Sequence, residues 1–297
     1  MAKVLIFGAS GQTGHYLGRQ WSDEGHEVAR CSRSGETPAD IGNFAEVEAL
    51  VQRIRPDFVF HLAARSSTRH EALFDNHEAI SAGTLHVLEA VHRHAPEARV
   101  FITGSGLQFV NQGRGISEKD PFAALDIYSA ARIGSVYLAR YYRDVLKRAV
   151  YVGYLFHHES PLRPPHHLSQ KIVHGAIAIS RGQAQELPVG DLSVRKEWSF
   201  AGDIAAGITT LVRQDAVFES VIGSGLPYSV QDWIEVCFSV LDLPWQKHVT
   251  KIEGFQPEYN VLYSDPATIR GLGWKPKVDF AALARMMVEA ALKESGD

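Results

Sequence analysis

Val4-Leu5-Ile6-Phe7-Gly8-Ala9-Ser10-Gly11-Gln12-Thr13-Gly14 is the stretch on which the reading of this chain turns. Four apolar residues with strand character run into a G-x-x-G-x-x-G loop, and a helix-like segment from Gly14 to Asp23 follows. Glycines at such a junction allow a tight turn and let the backbone approach a pyrophosphate, whose charge the free amides of a helix N-terminus stabilise. Gly8, Ser10, Gly11, Gln12, Thr13 and Gly14 are therefore the candidate cradle of a dinucleotide. A second strand at Glu27 to Cys31 completes a β-α-β unit.

The alternation continues outward. Val47 to Ile54 reads as helix, Asp57 to Leu62 as strand, Ala72 to His94 as helix, Val100 to Thr103 as strand, Ile127 to Leu146 as helix and Ala149 to Leu155 as strand. Strands separated by helices imply a parallel sheet covered on both faces, because parallel neighbours need crossover connections. After Phe156 the character changes: His157 to His167 is rich in Pro and His, and strands such as Glu186 to Val189 and Val217 to Ile222 lie scattered among loops and helices. The expected fold is α/β, a Rossmann-like doubly wound parallel sheet with a smaller C-terminal α/β substrate lobe. The expected division is 1–156 for the nucleotide-binding domain, with some later segments returning to it, and 157–297 mainly for the lobe.

The chain has 297 residues, of which 30 are Lys or Arg and 34 Asp or Glu, with no long run of either sign. Nucleic acid is not expected as a partner. No stretch approaches the roughly 18 to 20 apolar residues of a membrane helix, and no signal peptide precedes the first strand, so a soluble cytoplasmic protein with two free thiols is expected. The 14 histidines show no metal-ligand spacing, and no metal is expected. His61, His86, His92 and His94 read as surface or capping residues. Trp198, Trp233, Trp245 and Trp274 read as core, with Trp198 close enough to a basic pair to line a substrate site.

An NAD-binding chain usually carries an acid at the end of its second strand, but here the chain reads Ala29-Arg30-Cys31-Ser32-Arg33. That favours the 2′-phosphate of NADP, with Arg30, Ser32 and Arg33 as its contacts and NAD the less favoured cofactor. Asp40 and Ile41 are placed to meet the adenine, while Leu62, Ala63, Ala64 and Leu155 end strands beneath the cofactor.

Ser105, just beyond a strand, and Tyr128 in Tyr128-Ser129-Ala130-Ala131-Arg132 make the chain resemble the extended short-chain dehydrogenases, over nearly its whole length. The resemblance implies that Tyr128 takes a sugar hydroxyl proton as hydride leaves, that Ser105 holds the same oxygen, and that Arg132 supplies the charge that favours tyrosinate. Family members carry lysine at that last position, and arginine is not its equivalent. A narrower likeness follows in Leu155-Phe156-His157-His158-Glu159-Ser160-Pro161, which is similar to a segment of GDP-mannose 4,6-dehydratases, and it continues through Gln170-Lys171-Ile172, 190–198 and 272–278. It implies substrate contacts from His157, Glu159, Lys171, Arg195, Lys196 and Glu258, with basic side chains on a diphosphate. Phe255 stands where the family has an arginine.

Two departures narrow the expected chemistry. Those dehydratases have a glutamate two residues beyond the catalytic serine or threonine, where this chain has Leu107, and neither leucine nor the adjacent Gln108 can transfer a proton at ordinary pH. The segment 33–39 after the second strand is also short, as in the GDP-4-keto-6-deoxymannose reductases. The expected function is NADP(H)-dependent oxidation or reduction at C4 of a GDP-hexose-type nucleotide sugar. The alternatives are a true dehydratase or epimerase with a substituted acid/base, and a non-catalytic NADP-binding sensor or scaffold. A homodimer is expected, formed by the helices around 84–94 and 127–146.

Overall fold

A computed structural model describes residues 1–297 apart from Ser34, Arg65, Ser295 and Asp297. Along the chain, β1 (Lys3–Phe7), α1 (Gln12–Asp23), β2 (Glu27–Ser32), β3 (Thr37–Pro38), α2 (Phe44–Ile54) and β4 (Phe58–His61) build the first half of the central sheet. Then α3 (Gly83–His94), β5 (Arg99–Ser105), α4 (Ile127–Asp144) and β6 (Val150–Leu155) build the second. After α5 (Leu168–Ser180), the chain returns to the sheet through α6 (Ala201–Val212) and β7 (Glu219–Ile222). The spatial order is β7-β6-β5-β4-β1-β2-β3, all neighbours parallel. Since the order reverses between β4 and β1, a crevice opens at the C-terminal ends of those strands.

Alternation along each strand decides which helices cover which face. Leu5 and Phe7 on β1, Val59 on β4 and Val100 and Ile102 on β5 pack against Val47 and Val51 of α2, Val87 and Val91 of α3 and Val136 of α4. Their neighbours Val4, Ile6, Phe60 and Phe101 face the other way, onto Leu17 and Trp21 of α1 and Ile204, Ile208 and Leu211 of α6. The sheet is thus buried on both sides, and Trp21 fixes α1 to α6 with an indole N–H donated to Thr209 at 3.1 Å.

A separate core lies in the lobe, where α5 and the helices α7 (Val230–Ser239) and α8 (Phe280–Glu294) close over Trp198 and Trp233, stacked at 4.5 Å and nearly parallel. Trp198 therefore belongs to this core and not to a substrate surface. Trp233 and Trp274 are also buried, and Trp245 is half-buried beside the lobe core. Among the described residues, no helix is long and apolar enough to cross a membrane.

Two expectations need correction. The helix expected over 72–94 is broken: a short 3-10 turn and helix lead into a π turn at His77–Ala82 before α3 begins. The wider turn leaves the Ala79 and Ile80 carbonyls facing the ring of His61. His61 itself is fully buried beneath the crevice, not on the surface, and neither ring nitrogen reaches hydrogen-bonding geometry. Burial, helped by the charge of Arg132, pushes its pKa down to about 3, so the ring is neutral.

Candidate active site

The helix after the glycine loop begins without a side-chain cap, Gly11 occupying the N-cap position, so its first amides are left for a ligand. Two of the three loop glycines have a steric reason to be glycine. Gly8 has φ 83°, and a Cβ there would lie 2.6 Å from the Ala63 amide. A Cβ on Gly14 would strike the Gly8 carbonyl and sit 2.7 Å from the Ala9 Cα, so β1, the loop and α1 could not close together. At Gly11 the nearest obstacle is 3.4 Å away. Bare backbone, an uncapped helix start and a crevice above them fit the pyrophosphate of a dinucleotide.

The crevice has two ends that share Gly8, Gly11, Leu62 and Ala64. One, a cavity of about 310 Å³, is lined by Ser10, Ser32, Arg33, Asp40, Ile41 and Ala63, among others. Arg30 is not there. Its guanidinium turns back under α1, donating to the Gly18 carbonyl at 3.0 Å and the Ser22 hydroxyl at 2.9 Å, because the side chain alternates to the opposite face of β2. Arg33 is thus the cation at this end among the described residues, and Ser34 beside it lies outside them. The side chains of Gln12 and Thr13 are also engaged elsewhere. Gln12 donates to the His158 carbonyl at 2.9 Å and accepts from Ser160 at 2.8 Å, and Thr13 Oγ1 lies 2.8 Å from His158 Nε2. These two residues tie the cradle to the lobe, leaving only their backbone for a phosphate.

The other end, a cavity of about 360 Å³, holds Ser105, Tyr128, Arg132 and Leu155 together. Ser105 ends β5 and caps the turn that follows: its Oγ accepts from the Leu107 amide at 3.2 Å, and its own amide donates to Gln108 Oε1 at 2.8 Å. Gln108 is consequently buried and turned inward, away from any substrate. Leu107 lines the cavity and packs with Ile80, Tyr128 and Ala131. Tyr128 and Arg132 share a face one turn apart near the start of α4, which Asp126 caps. The Arg132 guanidinium donates to the Thr103 carbonyl at 2.7 Å and lies 5.1 Å from the Tyr128 ring centroid. It latches α4 to β5 and holds a buried positive charge against the ring.

The segment after β6 supplies the rest of this wall. His158 bonds the Phe156 carbonyl through Nδ1 at 2.8 Å, which fixes the proton there and leaves Nε2 to accept from Thr13. Burial holds its pKa down at about 4. His157 lines the cavity, its Nε2 2.9 Å from the Tyr259 hydroxyl and its Nδ1 buried without a partner. Of the other expected substrate contacts, none lines the cavity. Glu159 is buried behind it, accepting from Ser169 at 2.6 Å. Lys196 is nearly buried over the Trp198 ring, Arg195 donates outward to the Pro227 carbonyl, Lys171 is exposed on α5, and Glu258 accepts from Thr68 at the rim. Residue spacing could not separate lining from backing positions, because these segments are irregular. The wall instead contains Arg163, His166 and His167, for which the only sequence signal was the Pro- and His-rich composition of 157–167. Among the described residues, no three metal-ligating side chains cluster.

This sheet order, with a glycine cradle and a Ser/Tyr pair at the strand ends, defines an extended short-chain dehydrogenase of the epimerase/dehydratase type. A family model described as GDP-mannose 4,6 dehydratase matches residues 36–287, and the chain belongs to that family. GDP-mannose 4,6 dehydratase 2 of Arabidopsis thaliana is 28% identical over 323 aligned positions, covering 98% of this chain and 87% of the relative. GDP-mannose 4,6-dehydratase of Sinorhizobium fredii is 28% identical, covering 97% and 96%. Among solved structures, RMD from Pseudomonas aeruginosa complexed with NADPH superposes with a TM-score of 0.87 over 99% of this chain and 100% of that one, at 18% identity. The dTDP-glucose 4,6-dehydratase from Bacillus anthracis in complex with NAD gives 0.85, at 17% identity over 99% and 97%. These structures share the fold.

Proposed function

We propose that the chain is an NADP(H)-dependent oxidoreductase acting at C4 of a nucleotide sugar of the GDP-hexose type. The observation that carries this reading is the convergence of Ser105 and Tyr128 on a crevice continuous with an uncapped, glycine-built helix start. A nicotinamide dinucleotide held there would supply the hydride acceptor or donor. Tyr128 exchanges the proton of the C4 hydroxyl, Ser105 holds that oxygen, and Arg132 keeps positive charge beside the tyrosine ring. NADP is favoured over NAD by Ser32 and Arg33 at the tip of β2, in place of the acid that NAD-binding chains usually carry at that point of the sequence. The guanosine assignment is supported by the likeness to GDP-mannose 4,6-dehydratases.

Leu107 in the wall argues against elimination of water, since among the described residues no carboxylate lines the cavity to take the C5 proton. The expected assembly is a homodimer through α3 and α4, whose outer faces expose Leu85, Tyr137 and Tyr141. Incubation with NADP(H) and a panel of GDP-, dTDP- and UDP-sugars, followed by nicotinamide absorbance and product mass, tests the reading. Net change in reduced cofactor with a two-hydrogen mass shift is expected. A product lighter by one water, with no net cofactor change, would show a dehydratase instead.

A further inference from the structure

Beneath the catalytic end lies a group that the chemistry above does not use. His61 ends β4 completely buried and lines neither end of the crevice, although the three residues after it do. Its ring is therefore not a ligand contact. Thr103 donates its hydroxyl proton to the His61 carbonyl at 2.7 Å, and the Thr103 carbonyl in turn receives Arg132 at 2.7 Å. The latch that holds the guanidinium by the Tyr128 ring is thus anchored at His61. On its other side the imidazole meets the Ala79 and Ile80 carbonyls of the π turn. That turn is pinned to α4 by Ser135, whose buried hydroxyl oxygen lies 3.1 Å from both the Ile80 and the Ala131 carbonyls and accepts from Thr84 at 3.1 Å. The Ile80 side chain then packs on Tyr128 and Ala131.

Tyr128 is held by Arg132 and by Ile80, and the ring of His61 stands between the mountings of both. A π turn frees carbonyls from their usual helical partners, and a carbonyl facing hydrocarbon in a core is disfavoured. A neutral imidazole suits this place, because it brings an N–H to the side where those carbonyls stand and no second positive charge against Arg132. An apolar side chain would supply the volume alone. We propose that His61 is a positioning residue for proton transfer at Tyr128, acting through the π turn that seats Ile80 on the tyrosine ring and through the guanidinium beside it. This rests on the role given to Tyr128 in the proposed function and adds the residue that holds it in place. His61 itself exchanges no proton with the substrate.

The test compares His61→Met with His61→Gln, two side chains of nearly equal length of which only the second can donate to the π-turn carbonyls. Steady-state kinetics use NADP(H) and whichever member of the GDP-, dTDP- and UDP-sugar panel the native chain turns over fastest. His61→Met should lower kcat by about 10²-fold, the scale of a displaced reacting group, while the sugar KM and the NADPH Kd from fluorescence stay within about 3-fold. His61→Gln should recover at least about 10-fold of that loss. Val59→Ala, a cavity in the same strand, should lower the melting temperature and leave kcat within about 2-fold. An undiminished kcat in His61→Met would overturn the proposal, as would a His61→Gln no faster than His61→Met. Parallel losses in kcat, KM and NADPH affinity would also overturn it, since they would make His61 a part of the fold alone. If His61→Met does not fold, Ile80→Ala takes its place, keeping the ring and removing the contact that the ring seats. Its kcat should fall by about 10-fold at unchanged KM, and a native kcat would overturn the proposal. A native chain that loads NADPH and turns over none of the panel would overturn the nucleotide-sugar reading, and this inference with it.

Discussion

The two ends of the crevice are built by different means. Around Gly8 and Gly11 the first end is backbone, a helix start and a short loop, with Asp40, Asp75 and Glu78 among its lining side chains and Arg33 as the cation. The second end is made by side chains from β5, α4 and the irregular segment after β6, and it is cationic, with no acid in its described wall. A ligand recognised by backbone amides constrains few residue types, so glycine spacing alone announces it. A ligand recognised by charge depends on which side chains a folded loop turns inward. The first end is thus general to dinucleotides, and the second is where this chain can differ from its relatives.

If the ends are separable, damage at one should spare the other. Tyr128→Phe should reduce hydride transfer by roughly 10³-fold, the scale of a lost acid/base group, while leaving NADPH affinity within about 3-fold. Steady-state rates and fluorescence titration check both halves, and an equal loss in both would mean that the tyrosine supports the cofactor site as a whole. The converse change is Gly14→Ala. Its Cβ has no room against Gly8 and Ala9, so α1 must shift, and NADPH affinity should fall by about 10²-fold, with a lowered melting temperature. A smaller effect is expected from Arg33→Ala. Losing one charge-assisted contact should weaken NADP by about 10-fold and leave NAD nearly unchanged, and comparative titration of the two nucleotides reads the difference directly.

Residues at the first end were largely legible before the fold was known, because strand, glycine loop and helix are consecutive in the chain. The exception was Arg30, whose side chain turns under α1 on the face of β2 opposite Cys31, whereas Arg33 lies past the end of that strand and lines the cavity. Ser105 and Tyr128 were legible through their intervals, since β5 and α4 are regular elements that fix where a residue points. Legibility failed after β6. Glu159, Lys196 and Arg195 sit in two-residue strands and turns, where a shift of one position exchanges lining for backing, and Arg163 faces the cavity that they do not. The break in the long helix was illegible for another reason: a π turn adds one residue to a pattern whose apolar spacing reads as continuous, and its partner, the ring of His61, lies on a separate strand.

The finest test concerns the joint between the two ends, where His158 links Thr13 of the cradle to the wall after β6. Burial depresses its pKa to about 4 in the folded chain, whereas a free histidine titrates near 6.5. With the folded value depressed, the native state takes up the proton less readily than the unfolded chain. The resulting stability is fully present above about pH 6.5 and is lost as pH falls through that value toward about 4, on the order of 2 kcal/mol by pH 5. His61, at about 3, contributes with the same sign over a window that extends lower. Glu219 does not overlap: burial would raise its pKa, but hydrogen bonds from Arg140, Tyr154 and Arg143 outweigh this and hold it at about 2, so its contribution declines only below the ordinary carboxylate range. Urea unfolding of His158→Gln at pH 7, 6 and 5 should therefore show an acid limb shallower than that of the native chain by up to about 1.4 kcal/mol per pH unit, the slope of one proton. At pH 7 the difference reduces to the cost of the altered hydrogen bonds alone, about 1 kcal/mol. Parallel limbs would mean that His158 takes up its proton in the fold as readily as in the unfolded chain, and that the two ends are joined by packing and not by a neutral imidazole accepting from Thr13.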